Sequence, residues 1–126
     1  MLKKALLECV KVTYNCLSVD GDQSTNDTLL VMANGKAGNA EITSEGEAYE
    51  AFKQALYIVM MNITKMMARD GEGATKFIEA NVYNARNDED ARLAAKSIIS
   101  SSLFKSAVFG GDPNWGRIVS AIGYSG

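Results

Sequence analysis

Ala68-Arg-Asp-Gly-Glu-Gly-Ala-Thr-Lys-Phe-Ile-Glu-Ala-Asn-Val-Tyr83 is the stretch across which the periodicity of the chain changes. Before it, Phe52, Leu56, Val59, Ile63 and Met66 recur every three or four residues, with Ala48, Ala55, Met60 and Met67 beside them. That spacing predicts one long helix over 45–69 with a broad apolar face. Ser44 followed by Glu47 has the spacing of a capping box at its start. Met60, Met61, Met66 and Met67 near its end are expected to fill a core, the alternative being an adaptable binding groove. After the break, Lys76–Tyr83 alternates. Ile78, Ala80 and Val82 fall on one face and Phe77, Glu79, Asn81 and Tyr83 on the other, which predicts a strand. Asp70-Gly-Glu-Gly73 separates the two periods, and Gly71 suits the left-handed stop of the helix.

Working outward, residues 2–16 place Leu2, Leu6, Val10 and Tyr14 at spacing four, with Ala5, Cys9 and Thr13 beside them, an amphipathic helix. Cys16–Val19 and Thr28–Ala33 are short apolar segments expected as strands, and Asn34-Gly35 ends the second. Between them lies Asp20-Gly-Asp-Gln-Ser-Thr-Asn-Asp-Thr28, which has no large apolar side chain. Its Asp, Asn, Ser and Thr side chains can bond nearby backbone, so it is expected as a self-bonded loop with more polar chemistry than a turn needs. Downstream, Asn87-Asp-Glu-Asp90 predicts a helix start, a capping Asn followed by acids. Ala91, Ala94, Ala95, Ile98 and Ile99 form that helix's apolar face, and Ser100-Ser-Ser102 ends it. Leu103–Phe109 is a strand candidate. Asp112 and Pro113 are expected as cap and first residue of a last helix over 113–123. The alternation of helices and strands, with no repeat or linker, predicts a single α/β domain over 1–126.

Composition narrows the functions. The 126 residues suffice for one core, and a net charge of −2 offers no electrostatic case for nucleic acid or an anionic membrane. Glu8 and Lys11 interrupt the apolar N-terminal run, which argues against a signal peptide, so the cytoplasm is expected. Cys9 and Cys16, seven apart on a helix, would stand about 10 Å apart, too far for a disulfide. With no histidine in the chain, Ser-His-Asp and Cys-His mechanisms and the commonest zinc ligand are excluded within it.

Three motifs stand out. Asp20-x-Asp22-x-Ser24 begins like a calcium loop, but Thr25 stands where glycine is required and Val31 where a bidentate acid belongs, so no metal is expected. Gly71-Glu-Gly-Ala-Thr-Lys76 lacks the spacing of a phosphate loop and follows a helix, the reverse of the required order. Glu72 lies between two glycines with little side-chain cover, so it either meets a ligand closely or belongs to an ordinary surface turn. In Gly110-Gly-Asp-Pro-Asn-Trp-Gly-Arg117, Trp115 could anchor an interface and Arg117 could bind a carboxylate. The expectation is the plainer alternative, a turn with a buried indole.

Ser18-Val-Asp-Gly-Asp-Gln-Ser-Thr-Asn-Asp-Thr28, Ala68-Arg-Asp-Gly-Glu-Gly-Ala-Thr-Lys76 and Ala107-Val-Phe-Gly-Gly-Asp-Pro-Asn-Trp-Gly-Arg-Ile118, followed by Ala121-Ile-Gly-Tyr-Ser-Gly126, closely resemble the ornithine acetyltransferase (glutamate N-acetyltransferase) family, the bifunctional ArgJ proteins of arginine biosynthesis. The resemblance covers essentially the whole chain. Gln23 departs from it, since the family usually has Thr there.

The resemblance implies a layered α/β sandwich of the N-terminal-nucleophile type, here incomplete. It implies acetyl transfer from N-acetylornithine to glutamate in a ping-pong scheme, in some members with acetyl-CoA as co-substrate and with no other cofactor. The family precursor cleaves itself before a threonine, which becomes the nucleophile of the β chain, its own α-amino group serving as base. Oxyanion-hole residues and a substrate lysine belong to the α chain, the end of the β chain supplies an Asn and a hydroxyl residue, and two αβ units form a heterotetramer. The cleavage motif is absent here, so this sequence resembles the middle of a β chain and carries no nucleophile. Thr75 belongs to the Gly-Glu-Gly-Ala-Thr-Lys motif instead. Glu72 matches the family glutamate that contacts substrate. Ser24, Thr25 and Asn26 are expected to face the nucleophile, with Asp20 and Asp22 bracing the loop behind them. The remaining expectation is a non-catalytic fragment that binds complementary fragments or a second copy of itself.

Overall fold

The structure, a computed structural model, describes residues 1–126. Five helices run in the order α1 (Leu2–Lys11), α2 (Glu47–Arg69), α3 (Asp88–Ser100), α4 (Ser102–Phe109) and α5 (Trp115–Gly123), with a short 3₁₀ turn at Tyr14–Cys16 after α1. No residue lies in a strand. Residues 1–15 and 22–64 form one compact unit, and residues 16–21 and 65–126 form a second.

In the first unit, α1 buries Ala5 and Cys9, and Thr13 continues that stripe beyond the helix. Thr13 Oγ1 donates to the Cys9 carbonyl at 2.8 Å, so this buried hydroxyl is satisfied. Side chains tie α1 to α2. Tyr49 is 1% exposed, and its hydroxyl donates to Glu8 at 3.1 Å. Cys9 Sγ approaches the Lys53 carbonyl at 3.6 Å. Neither cysteine is in a disulfide; Cys9 is buried and Cys16 half-buried.

The stripe that α2 buries is not the one its spacing suggests. Tyr49, Met60 and Thr64 are buried, while Val59, Ile63, Met66 and Met67 are exposed. Met66 and Met67 therefore do not fill a core. The helix is apolar over more than one flank, and only the flank carrying Tyr49, Met60 and Thr64 is covered in this chain. It begins at Glu47, where the Glu50 amide donates to the Gly46 carbonyl at 3.0 Å, so Gly46 holds the position expected for a Ser44 cap.

The second unit has its core at Ile98, Phe104 and Ala121, with Ile78, Ala80, Val108 and Ile118 packed against it. Here α3, α4 and α5 pack on one another. Asn87 caps α3 as expected, its side chain accepting from the Asp90 amide at 2.8 Å. Ser101 ends α3 and caps α4, accepting from the Phe104 amide at 3.3 Å. Leu103–Phe109 is therefore helix, correcting the strand expected there. A short apolar run has no decisive period, and the Ser cap turns it helical with Phe104 and Val108 inward. The last helix starts at Trp115 with Asn114 as its cap, accepting from the Arg117 amide at 3.3 Å, while the Asp112 carboxylate accepts from the Asn114 side chain at 3.0 Å. Trp115 is 76% exposed, which overturns the buried indole.

The Cys16–Val19 candidate is also corrected: Cys16 ends the 3₁₀ turn and Val19 lies in a bend. The candidates at 28–33 and 76–83 have no ladder partners, yet their burial alternates: Leu29 and Val31 are half-buried between exposed Leu30 and Met32, and Ile78, Ala80 and Val82 are half-buried between exposed Glu79, Asn81 and Tyr83. The period of two is present and its hydrogen-bonding neighbours are not, so no sheet forms among these residues.

Candidate functional site

Glu72 sits at the tip of a tight turn. The Ala74 amide donates to the Gly71 carbonyl at 2.9 Å. Gly73 holds φ +70, the third position of a turn that excludes most side chains. It is thus Gly73, and not Gly71, that is left-handed. Gly71 is small for another reason: a Cβ there would stand 3.0 Å from Val19 Cγ1. The Glu72 carboxylate is exposed and makes no hydrogen bond or ion pair within the chain.

The base of this turn is held on both sides. Lys65 pairs with Glu79 at 2.9 Å, and the Arg69 guanidinium lies 4.7 Å from the centre of the Phe77 ring. Residues 76–79 thereby fold back along the end of α2. The contact between Gly71 and Val19 also brings the entry of the Asp20–Thr28 loop beside the Gly-Glu-Gly turn. Residues 17–19 are pinned from α3 and α4. Lys96 Nζ donates to the Leu17 carbonyl, Ser100 Oγ lies 3.3 Å from Ser18 Oγ, and Lys105 Nζ donates to the Val19 carbonyl at 2.6 Å. Burial holds the Lys96 ammonium below the usual lysine range.

Asp20 lies in the same unit as Glu72, whereas Asp22, Ser24, Thr25 and Asn26 lie in the other. Within that unit the loop is bonded to itself. Thr25 Oγ1 donates to Asn26 Oδ1 at 2.7 Å, the Asn26 amide donates to Ser24 Oγ at 3.1 Å, and Thr28 Oγ1 donates to the Asn26 carbonyl at 3.1 Å. All of Asp20–Thr28 is exposed. No group of three or more Asp, Glu or Cys side chains gathers in a metal-holding arrangement.

The first unit also carries an open pocket of about 240 Å³, lined by Glu8, Cys9, Val12, Lys53, Gln54 and Tyr57. None of the site residues expected from sequence lines it. Its charges satisfy one another: Lys53 lies 3.2 Å from Glu8 and 2.8 Å from Glu50. The Lys53 ammonium is raised above the usual lysine range, first by the hydrogen bond to Glu50 and then by that to Glu8. Burial alone would raise the Glu8 carboxyl, but the hydrogen bonds from Lys53 and Tyr49 outweigh it and hold Glu8 below the usual range. Burial raises the Cys9 thiol.

Sequence reasoning missed Lys76, Lys96 and Lys105. Each bonds to backbone carbonyls 32 to 86 positions away, and a carbonyl leaves no mark in the residue code.

A model of the ArgJ family matches residues 1–126. The chain is 58% identical over 125 residues to the arginine biosynthesis bifunctional protein ArgJ 1 of Clostridium acetobutylicum, covering 99% of this chain and 31% of that protein. It is 54% identical over 125 residues to ArgJ of Caldanaerobacter subterraneus, with the same 99% and 31% coverage. The crystal structure of the arginine biosynthesis bifunctional protein ArgJ from Bacillus halodurans superposes with a TM-score of 0.94 at 49% identity, over 99% of this chain and 59% of that one. The chain thus spans about a third of the length of the curated relatives it matches, 31%. The three polar stretches, the turn that presents Glu72 and the match along all 126 residues have one conclusion in common: this chain belongs to the ArgJ family.

Proposed function

We propose that this chain supplies part of the substrate-binding wall of an acetyltransferase that moves the acetyl group of N-acetylornithine to glutamate in arginine biosynthesis. The observation that carries the proposal is Glu72, an exposed and unpaired carboxylate on a turn closed by the 2.9 Å bond from Ala74 to Gly71. A carboxylate so presented suits the α-ammonium group of ornithine or glutamate, through a charge-assisted hydrogen bond stronger than a neutral one. Ser24, Thr25 and Asn26 would form the wall that faces the nucleophile, with Asp20 and Asp22 bracing their loop. That nucleophile, an N-terminal threonine in a ping-pong scheme, is not among these residues. No cofactor is needed; acetyl-CoA would enter only as a co-substrate. The partners are an α chain and a second αβ unit, in the cytoplasm, with neither nucleic acid nor membrane involved.

The same proposal gives the unladdered segments 28–33 and 76–83 a place. They would be strands of a layered α/β sandwich, one β-chain domain, whose ladders are completed by the rest of an ArgJ protein. Their alternating burial supports this.

The test is Glu72→Gln in the full-length Clostridium acetobutylicum relative carrying this stretch in place of its own. Acetyl transfer should weaken by about 1.5–3 kcal/mol in kcat/KM, the scale of a hydrogen bond to a charged group. Unchanged kinetics would remove Glu72 from the site. The 126-residue chain alone should transfer no acetyl group.

A second reading is favoured by the exposed apolar side chains Val59, Ile63, Met66 and Met67 on α2 and Trp115, Val119 and Ile122 on α5. The chain would then be a non-catalytic module that binds complementary fragments or itself. Sedimentation separates the two, since a module of this kind associates without turnover.

A further inference from the structure

Lys76 closes the Gly71-Glu-Gly-Ala-Thr-Lys76 motif, and its side chain leaves the turn for the end of α4. Nζ donates to the Val108 carbonyl at 2.6 Å and to the Phe109 carbonyl at 3.3 Å. These are last-turn carbonyls of a helix, where unpaired acceptors and the negative end of the dipole favour a cation. The backbone there forms a Schellman turn. The Gly111 amide donates to Val108 at 3.1 Å and the Asp112 amide to Ala107 at 2.9 Å, with Gly111 left-handed at φ +75. Neither of those amides reaches the Phe109 carbonyl. Lys76 supplies its donor.

Helix α4 therefore grips both segments that flank Glu72. Lys105 holds the Val19 carbonyl at 2.6 Å, Val19 packs on Gly71, and Lys76 holds the chain just after the turn. Between these anchors only Glu72 carries an ionisable side chain without a partner. We propose that Lys76 is a positioning residue: anchored on the end of α4, it fixes the turn that presents Glu72 to substrate. The inference rests on the substrate-binding role assigned to Glu72 above.

The experiment uses the full-length Clostridium acetobutylicum relative carrying this stretch, with Lys76→Met, Lys76→Arg, Glu72→Gln and the Lys76→Met/Glu72→Gln pair. Lys76→Met should raise KM for glutamate and N-acetylornithine about tenfold with kcat little changed, the scale of a lost hydrogen bond to a charged group. Lys76→Arg, which keeps the cation, should recover most of that loss. In the Glu72→Gln background, Lys76→Met should cost less than about twofold, because a residue that acts through Glu72 has nothing left to position. An equal loss in both backgrounds, or an unchanged KM, overturns the proposal. If the unsubstituted protein transfers no acetyl group, the acetyltransferase reading fails by itself. Hydrogen exchange of the Ala74 amide then decides: exchange faster by about tenfold in Lys76→Met supports the anchor, and unchanged exchange overturns it.

Discussion

Gly71 and Gly73 flank one glutamate and are glycine for different physical reasons. At Gly73 the space is open but φ is +70, so an added Cβ costs about 1 kcal/mol through the backbone alone. At Gly71 the backbone is unstrained and the space is not, since a Cβ would stand 3.0 Å from Val19 Cγ1. Val19 is partly exposed but its carbonyl is held by Lys105 at 2.6 Å, so it gives way only in part. Gly71→Ala should cost about 1–2 kcal/mol by overpacking. Val19→Ala should recover most of the Gly71→Ala loss and none of the Gly73→Ala loss. Thermal unfolding of the three single variants and the two pairs measures both couplings, and equal recovery at the two positions would contradict this assignment. The Gly-Glu-Gly pattern made Glu72 legible as a presented carboxylate. Which glycine is left-handed and which is crowded was not legible, because the crowding comes from a residue 52 positions upstream, Val19 against Gly71.

Helix ends separate what the residue code shows from what it hides. The α3 start is readable because its physics is local: Asn87 accepts from Asp90 at 2.8 Å, three residues on, and three acids follow in the first turn. Asn87→Ala should lower stability by about 1 kcal/mol, read from the urea midpoint at unchanged slope. Ser101 is as local, yet its run Leu103–Phe109 also fits a strand, and the cap together with packing of Phe104 against Ile98 and Ala121 makes it helix. Between α1 and α2 the determinant is charge. Glu8 is held below the ordinary carboxylate range, against burial, by hydrogen bonds from Lys53 and Tyr49. A carboxylate lowered on folding stabilises the fold above its unfolded pKa, and that contribution is lost as pH falls through the folded value. The thermal midpoint of the chain should therefore drop below about pH 4.3, the unfolded value of Glu. Glu8→Gln should be less stable near pH 7 and should lose less of its midpoint on acidification. Parallel pH profiles for the two proteins would show that the Glu8–Lys53 pair, partly exposed on both sides, contributes nothing measurable.

Over the whole molecule, the motifs that identify the family are legible in a chain spanning 31% of its relatives' length, because each is a local run of residues. No strand is present. The alternating segments 28–33 and 76–83 keep their period of two in their burial, but a strand is defined by neighbours, and periodicity cannot say whether neighbours are present. The same reasoning explains the apolar face of α2. Phe52, Leu56, Val59, Ile63 and Met66 are readable as a stripe made to be covered, and Val59, Ile63 and Met66 are nevertheless exposed. The candidate site shows the same limit. The exposed turn position of Glu72 is legible, whereas the lysines that hold its surroundings bond to carbonyls and are not. Exposed apolar area on this scale is relieved by association. The isolated 126-residue chain should therefore form higher-mass species at ~100 μM by light scattering. Val59→Glu combined with Met66→Glu should return it to a monomer, because a charge every two helical turns along that stripe must be desolvated for the face to be covered. Trp115→Ser on α5 gives an independent comparison: if it alone restores the monomer, association runs through α5 instead. A wild-type chain that stays monomeric at that concentration would show that the exposed stripe of α2 does not drive assembly.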